Sequence, residues 1–215
     1  MPTRVFVSED RSKILVLFSE AACVFANFYP SGFTAKPLES FVKDPEPEKK
    51  KDVKTLNFNS SQQYFSYHKA LLVGDHRTAQ QILQERNPFI IQLIGKNHLK
   101  MSKEKLDEWT QQSRDVMYRA CLEKFASNEK CRKQLFRTHG MKLVKASHDD
   151  GLWGIGLDKN DKRVEDERTW KGANWLGKVL DKVREELWIR TEFKEEREQI
   201  EKESLETRIH YLQTI

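Results

Sequence analysis

Cysteine is scarce in this 215-residue chain. Cys23, Cys121 and Cys131 are an odd number with no C-x-x-C spacing, which argues against a disulfide framework and a zinc ribbon and reads as buried thiols. Long apolar runs are missing too. The longest, ILVLF at Ile14 to Phe18, falls far short of the roughly 20 residues a bilayer helix needs, so no membrane partner is expected and the run reads as a buried strand. No apolar segment precedes the charges of MPTRVFVSEDRSK, which sets aside a secretory leader and leads to the expectation of an intracellular protein, cytoplasmic or nuclear. Walker A, G-x-G-x-x-G, H-E-x-x-H and G-x-S-x-G motifs are all absent. His68, His76, His98, His139, His148 and His210 share no metal-ligand spacing, so neither metal nor cofactor is expected.

What is plentiful is charge. With 33% charged and 38% hydrophobic residues and a mean hydropathy of -0.75, the composition is that of a soluble folded chain, with one domain as the default. The charge is uneven. Glu185 to Ile215 carries nine acidic and five basic side chains, a net -4 against +5 for the whole chain, which leaves +9 on residues 1–184. A basic body suits a phosphate-bearing ligand, and it equally suits plain solubility.

The pattern predicts strands at Arg4–Val7 and Ile14–Phe18, and a break at Pro30 and Gly32. PLESFVKDPEPEKKKDVK, residues 37–54, reads as a solvated, mobile loop. Ser60 and Gln63 have capping-box spacing and predict a helix from about Ser61 to Val73. A second helix follows in DHRTAQQILQER, and a third begins at Asn87-Pro88 and is stopped by Gly95. The longest internal helix is predicted over 103–127, with an apolar stripe of Leu106, Trp109, Val116, Met117, Ala120 and Phe125. A short helix, a strand in MKLVKA and a helix through Leu176 to Leu187 complete the body. Residues 188–215 read as a charged, solvated helical extension, giving the division 1–187 and 188–215.

Three stretches invite chemistry. In SSQQYFSYHKALL, Gln62 and Lys69 are seven apart and project from one helix face about 10 Å apart. A lysine among Tyr64, Phe65, Tyr67 and His68 would be partly desolvated and so more nucleophilic, although an ordinary lysine with its head in water fits the same pattern. In SHDDGLWGIGL, Asp149 and Asp150 precede glycines at 151, 154 and 156 and a stacking surface at Trp153; a tight turn explains this equally well. In WKGANWLG, Gly172 and Asn174 at a helix start would present backbone N–H groups to phosphate, or form an ordinary helix entry.

Together with NFYPSGF, these motifs and the continuation WKGANWLGKVLDKVREEL occur in an order that resembles the NADAR (YbiA-like) family of N-glycosidases, over about Phe18 to Leu187. The resemblance implies an α+β fold, mainly helical: a compact YbiA-like single domain with a small sheet, here followed by the helical extension. It implies hydrolysis of an N-glycosidic bond, either between ADP-ribose and guanine or in a phosphorylated intermediate of riboflavin synthesis. An ADP-ribose-containing ligand is the expected partner, extending to ADP-ribosylated DNA or RNA. The resemblance also implies roles for individual residues. Lys69 would attack the anomeric carbon, Asp150 would orient sugar hydroxyls or a water, and Asn27, Phe28 and Tyr29 would line the ribose-phosphate pocket. Trp153, Gly154 and Gly156 would shape the site, and Gly172 and Asn174 would contact the ligand.

Position 62 departs from the family, which carries a catalytic glutamate where this chain has Gln62. An amide cannot transfer a proton. Three accounts follow: an engineered, ligand-trapping substitution, which is the leading one; a lineage that has become a binding protein; or slow turnover by Lys69 and Asp150. They leave open an N-glycosidase, a non-catalytic reader of ADP-ribose, and a scaffold that binds partners through residues 188–215.

Overall fold

The run Ile14–Phe18 has no polar residue because both of its edges and both of its faces are occupied. In the computed structural model, which describes residues 3–41 and 54–214, it is the central strand of a three-stranded sheet. In chain order the strands and helices are β1 Thr3–Val7, β2 Ile14–Phe18, β3 Phe33–Ala35, β4 Leu56–Phe58, α1 Ser61–Leu72, α2 His76–Gln84, α3 Pro88–Asn97, α4 Lys103–Ser127, α5 Glu129–Arg137, β5 Lys142–Lys145, α6 Trp175–Trp188, α7 Lys194–Glu201 and α8 Leu205–Gln213. This is the expected mainly helical α+β chain. It divides into two compact units, Pro30–Ser127 and the remainder, Met1–Tyr29 with Asn128–Ile215.

In the unit that holds both chain ends, the sheet order is β1-β2-β5. β1 runs antiparallel to β2 with Val5 opposite Val16, and β5 runs parallel to it with Leu143 opposite Val16. Leu15, Leu17, Val144, Ala146, Ile155, Leu157 and Val164 form one apolar cluster beside the sheet. The helix α6 lies against β5. Its closest approach is at Gly177, where a Cβ would fall 2.1 Å from the Leu143 carbonyl oxygen.

The expected solvated extension is instead folded onto this unit. Two short helices, α7 and α8, pack on α5, and α8 also covers the edge strand β1. Phe193, just before α7, Ile200 and Leu212 are buried, and Leu205 and Ile209 are partly buried. Two arginines of α5 secure them in the same way. Arg132 forks onto Glu196 and lies 4.0 Å from the Phe193 ring centre, while Arg137 forks onto Glu203 and lies 4.1 Å from the Tyr211 ring centre. Arg208 donates to the carbonyls of Arg137 and His139, and the Thr3 hydroxyl donates to that of Leu212. Charge pattern alone suggested solvent because it does not show which charges find partners.

In the unit Pro30–Ser127, α1 is central and α2, α3 and α4 pack around it. Its core is rich in aromatics: Phe58 meets Tyr64 edge-on at 4.9 Å and Phe65 meets Trp109 at 4.8 Å. Ser60 caps α1 by accepting from the Gln63 N–H, as the capping-box spacing requires. The Gln63 side chain accepts from the Asn59 N–H and donates to the carbonyls of Ile82 and Glu85, tying the end of α2 to α1.

His68 is wholly buried. Its Nδ1 lies 2.8 Å from the Tyr64 carbonyl and its Nε2 accepts from the Leu38 N–H at 3.0 Å, an arrangement that requires the neutral ring. Burial pushes its pKa down to about 4.

Three details depart from expectation. The helix α3 runs through Gly95 to Asn97, because Gly95 serves interhelical contact rather than termination. Leu106, placed on the buried stripe of α4, is half exposed. Of the expected mobile loop 37–54, residues 42–53 lie outside the described residues, but Pro37 is buried, Glu39–Phe41 form a 3-10 turn, and Phe41 packs edge-on against His68.

Gly177→Ala is expected to cost about 3 kcal/mol or more, because the new methyl meets backbone that cannot retreat; a thermal or urea melt measures it. Ending the chain after Arg190 would remove the carboxylates onto which Arg132 and Arg137 fork, and should abolish cooperative unfolding of the truncated chain in calorimetry. The His68 ring, neutral when folded, takes up a proton on unfolding at any pH between 6.5 and about 4. Stability should therefore be intact above pH 6.5 and fall toward pH 4 by about 3 kcal/mol, a slope that His68→Gln flattens in a pH series of urea melts.

Candidate active site

The capped start of α1 sets a polar strip along one helix face, at positions 62, 66 and 69. Gln62 is 5% exposed and its Nε2 donates to Ser66 Oγ at 2.9 Å. Ser66 is itself buried. The Lys69 side chain is half-buried and its Nζ donates to the Gly95 carbonyl of α3 at 3.1 Å. Desolvation lowers the lysine pKa below its ordinary value. A larger share of the amine then carries a free electron pair at neutral pH, which is the condition for attack on an electrophilic carbon. Gly95 permits this arrangement, since a Cβ there would stand 3.2 Å from Ser66 Oγ.

The remaining expected site residues belong to the other unit. Asp150 opens the loop 150–157 and is committed on both oxygens. Its Oδ1 accepts from the N–H groups of Leu152 and Trp153, at 3.2 and 2.8 Å, and its Oδ2 accepts from Lys145 Nζ at 2.7 Å. Burial works against its ionisation, but the Lys145 charge and these hydrogen bonds outweigh it and hold the carboxyl below its usual range. Asp150 is thus an ionised carboxylate that organises its own loop.

Trp153 and Trp175 are partly exposed and meet edge-to-face at 5.6 Å. Asn27, Phe28 and Tyr29 end a series of tight turns and are half-buried, and burial raises the Tyr29 phenol above its usual pKa.

The glycines of the two loops serve packing. The N–H groups of Lys171, Ala173, Asn174, Trp175 and Leu176 donate to the carbonyls of Ile155, Gly151, Gly154, Leu152 and Trp153 respectively. This clasp needs bare backbone. A Cβ at Gly172 would fall 2.4 Å from the Gly154 oxygen, one at Gly154 would fall 2.8 Å from the Asp150 oxygen, and Gly156 adopts φ +67°.

The expectation that the start of α6 offers its N–H groups to phosphate is therefore corrected: the Asn174, Trp175 and Leu176 groups are engaged by loop carbonyls. Asn174 is likewise structural, with Nδ2 donating to the Leu143 carbonyl and Oδ1 accepting from the Lys145 N–H, both at 3.0 Å.

Ser66 and Gly95 beside Lys69 in one unit, and Lys145 and Trp175 in the other, were not singled out by sequence. Helical spacing placed Ser66 on the Gln62 face, but no local signal marks Gly95 or Lys145 as partners. Among the described residues, no group of three or more His, Cys, Asp or Glu could hold a metal ion, and no helix is long and apolar enough to cross a membrane.

Known proteins resemble this chain in sequence, and a solved structure resembles it in fold. The chain is 65% identical over 213 residues to Protein irg-1 of Caenorhabditis elegans, covering 99% of this chain and 98% of that one. It is 34% identical over 127 residues to a protein named N-glycosidase from Acanthamoeba polyphaga mimivirus, covering 59% of this chain and 73% of that one. The NMR structure of YbiA from E. coli shares the fold with a TM-score of 0.57 at 24% identity, covering 81% of this chain and 85% of that one. The NADAR domain model matches residues 13–188, and the chain belongs to the NADAR domain family.

Proposed function

We propose that this chain acts on an N-glycosidic bond, that between ADP-ribose and guanine in nucleotide, DNA or RNA, with Lys69 as the nucleophile. The observation that carries the reading is the Lys69 amine: half-buried, lowered in pKa, aimed by the Gly95 carbonyl and on one helix face with Gln62. The net +9 of residues 1–184 supports a ligand bearing phosphates. Relatives named N-glycosidases support the reaction class.

In this reading the neutral amine of Lys69 attacks the anomeric carbon as the bond from that carbon to the guanine nitrogen breaks. The departing nitrogen must take up a proton. Opening of the ribose gives an imine on Lys69, and water then releases the sugar and regenerates the amine. Gln62 can hold a hydroxyl or a base edge by hydrogen bonding, but it cannot deliver the proton. A glutamate at this position would.

That same amide favours a second reading, in which the chain binds ADP-ribose without cleaving it.

A side-by-side assay of the chain, Gln62→Glu and Gln62→Glu/Lys69→Met decides between them, following release of ADP-ribose from ADP-ribosylated guanosine and oligonucleotide. Gln62→Glu is expected to raise turnover by roughly 10²–10⁴-fold, and the added Lys69→Met to remove it. Binding without turnover in every form would establish the second reading. Cleavage confined to a phosphoribosylated aminopyrimidine would place the substrate among riboflavin precursors. A steep fall in oligonucleotide affinity with salt would mark contact with the phosphate backbone.

A further inference from the structure

Ser66 lies one turn beyond Gln62 on α1 and one turn before Lys69; it bonds Gln62 and lies against Gly95, the partner of Lys69. Its Oγ accepts from Gln62 Nε2 at 2.9 Å. Across the helix pair, Ser66 Oγ and Cβ would stand 3.2 and 3.4 Å from a Cβ at Gly95, and the Gly95 carbonyl holds the Lys69 amine at 3.1 Å. One small, buried hydroxyl thus meets both the side chain at position 62 and the residue that aims the nucleophile.

We infer that Ser66 is the positioning residue of this site: its hydroxyl orients the side chain at position 62, and its small volume sets how closely α3 brings the Gly95 carbonyl to Lys69. A hydroxyl suits this task because it both accepts and donates. It accepts from the amide of Gln62, and it would donate to a carboxylate at the same position. Donation to the carboxylate favours the ionised form. Ser66 would therefore set the proton affinity of a glutamate at position 62 as well as its direction. An alanine of nearly the same size would fill the volume and take this hydroxyl away from position 62.

The kinetic consequences rest on the glycosidase reading, whereas the titration below does not. In the Gln62→Glu chain, the carboxyl introduced at position 62 is titrated by carbon-13 NMR with and without Ser66→Ala. Removing the hydroxyl is expected to make that carboxyl bind its proton roughly tenfold more tightly. The limb of the pH–rate profile that this carboxyl sets should move to higher pH, and kcat should fall about tenfold with KM nearly unchanged, as for a group that aligns the transition state.

Gly95→Ala tests the other contact. It should slow Gln62→Glu turnover, and much less so when Ser66→Ala is also present and the hydroxyl no longer opposes the new methyl. An unchanged titration of the introduced carboxyl on Ser66→Ala overturns the inference, whether or not the chain turns over. A shifted titration with no hydrolysis in any variant upholds the placing of Ser66 and refutes the glycosidase reading instead.

Discussion

A single side-chain amide, that of Asn174, ties the start of α6 to β5 in the unit that holds both chain ends. Its backbone is left-handed, φ 51°, a conformation asparagine tolerates better than most residues. In that conformation its amide lies along β5, donating to Leu143 and accepting from Lys145 as a neighbouring strand would. The next turn of α6 then reaches β5 at Gly177, where only a hydrogen fits. The preceding residues are drawn against the loop 151–155, whose carbonyls receive their N–H groups. The result is a tightly bonded loop pair that holds Trp153 against Trp175 and keeps Asp150 turned onto its own backbone and Lys145.

The other unit solves a different problem. The helix α1 is buried on almost every side yet carries Gln62, Gln63, Ser66, His68 and Lys69. Buried polar groups are costly unless paired, and each here has a specific partner: the end of α2 for Gln63, the backbone of Tyr64 and Leu38 for His68, the Gly95 carbonyl for Lys69, and each other for Gln62 and Ser66. Gln63 and His68 are locked and inert. Lys69 sits where α1 is still partly open to solvent, so desolvation lowers its proton affinity without removing access. The same helix thus provides both the structural pins and a half-buried amine of lowered proton affinity.

Much of the fold was legible in the residues. Strands β1, β2 and β5 and helices α1 to α6 follow from apolar period and cap chemistry, and Ser60, Asp75, Asn87 and Asn128 each accept from an N–H of the first turn they cap. The misreadings share one cause. Gly95 looked like a stop, residues 188–215 like a solvated extension, and Gly172 with Asn174 like an anion seat. Each is a local pattern whose meaning depends on what lies across from it: Ser66, the arginines of α5, and the carbonyls of residues 151–155 respectively.

By itself the sequence determined the order of most elements, the family, and the common face of Gln62 and Lys69. These are consequences of spacing and residue type, which are local. Only the tertiary structure decided that the Lys69 amine is held by Gly95, that Asp150 is turned onto its own loop, and that the N–H groups at the start of α6 are already engaged. Hydrogen-bond partners distant in sequence are chosen by packing, and a lone donor or acceptor carries no mark of the partner it will meet.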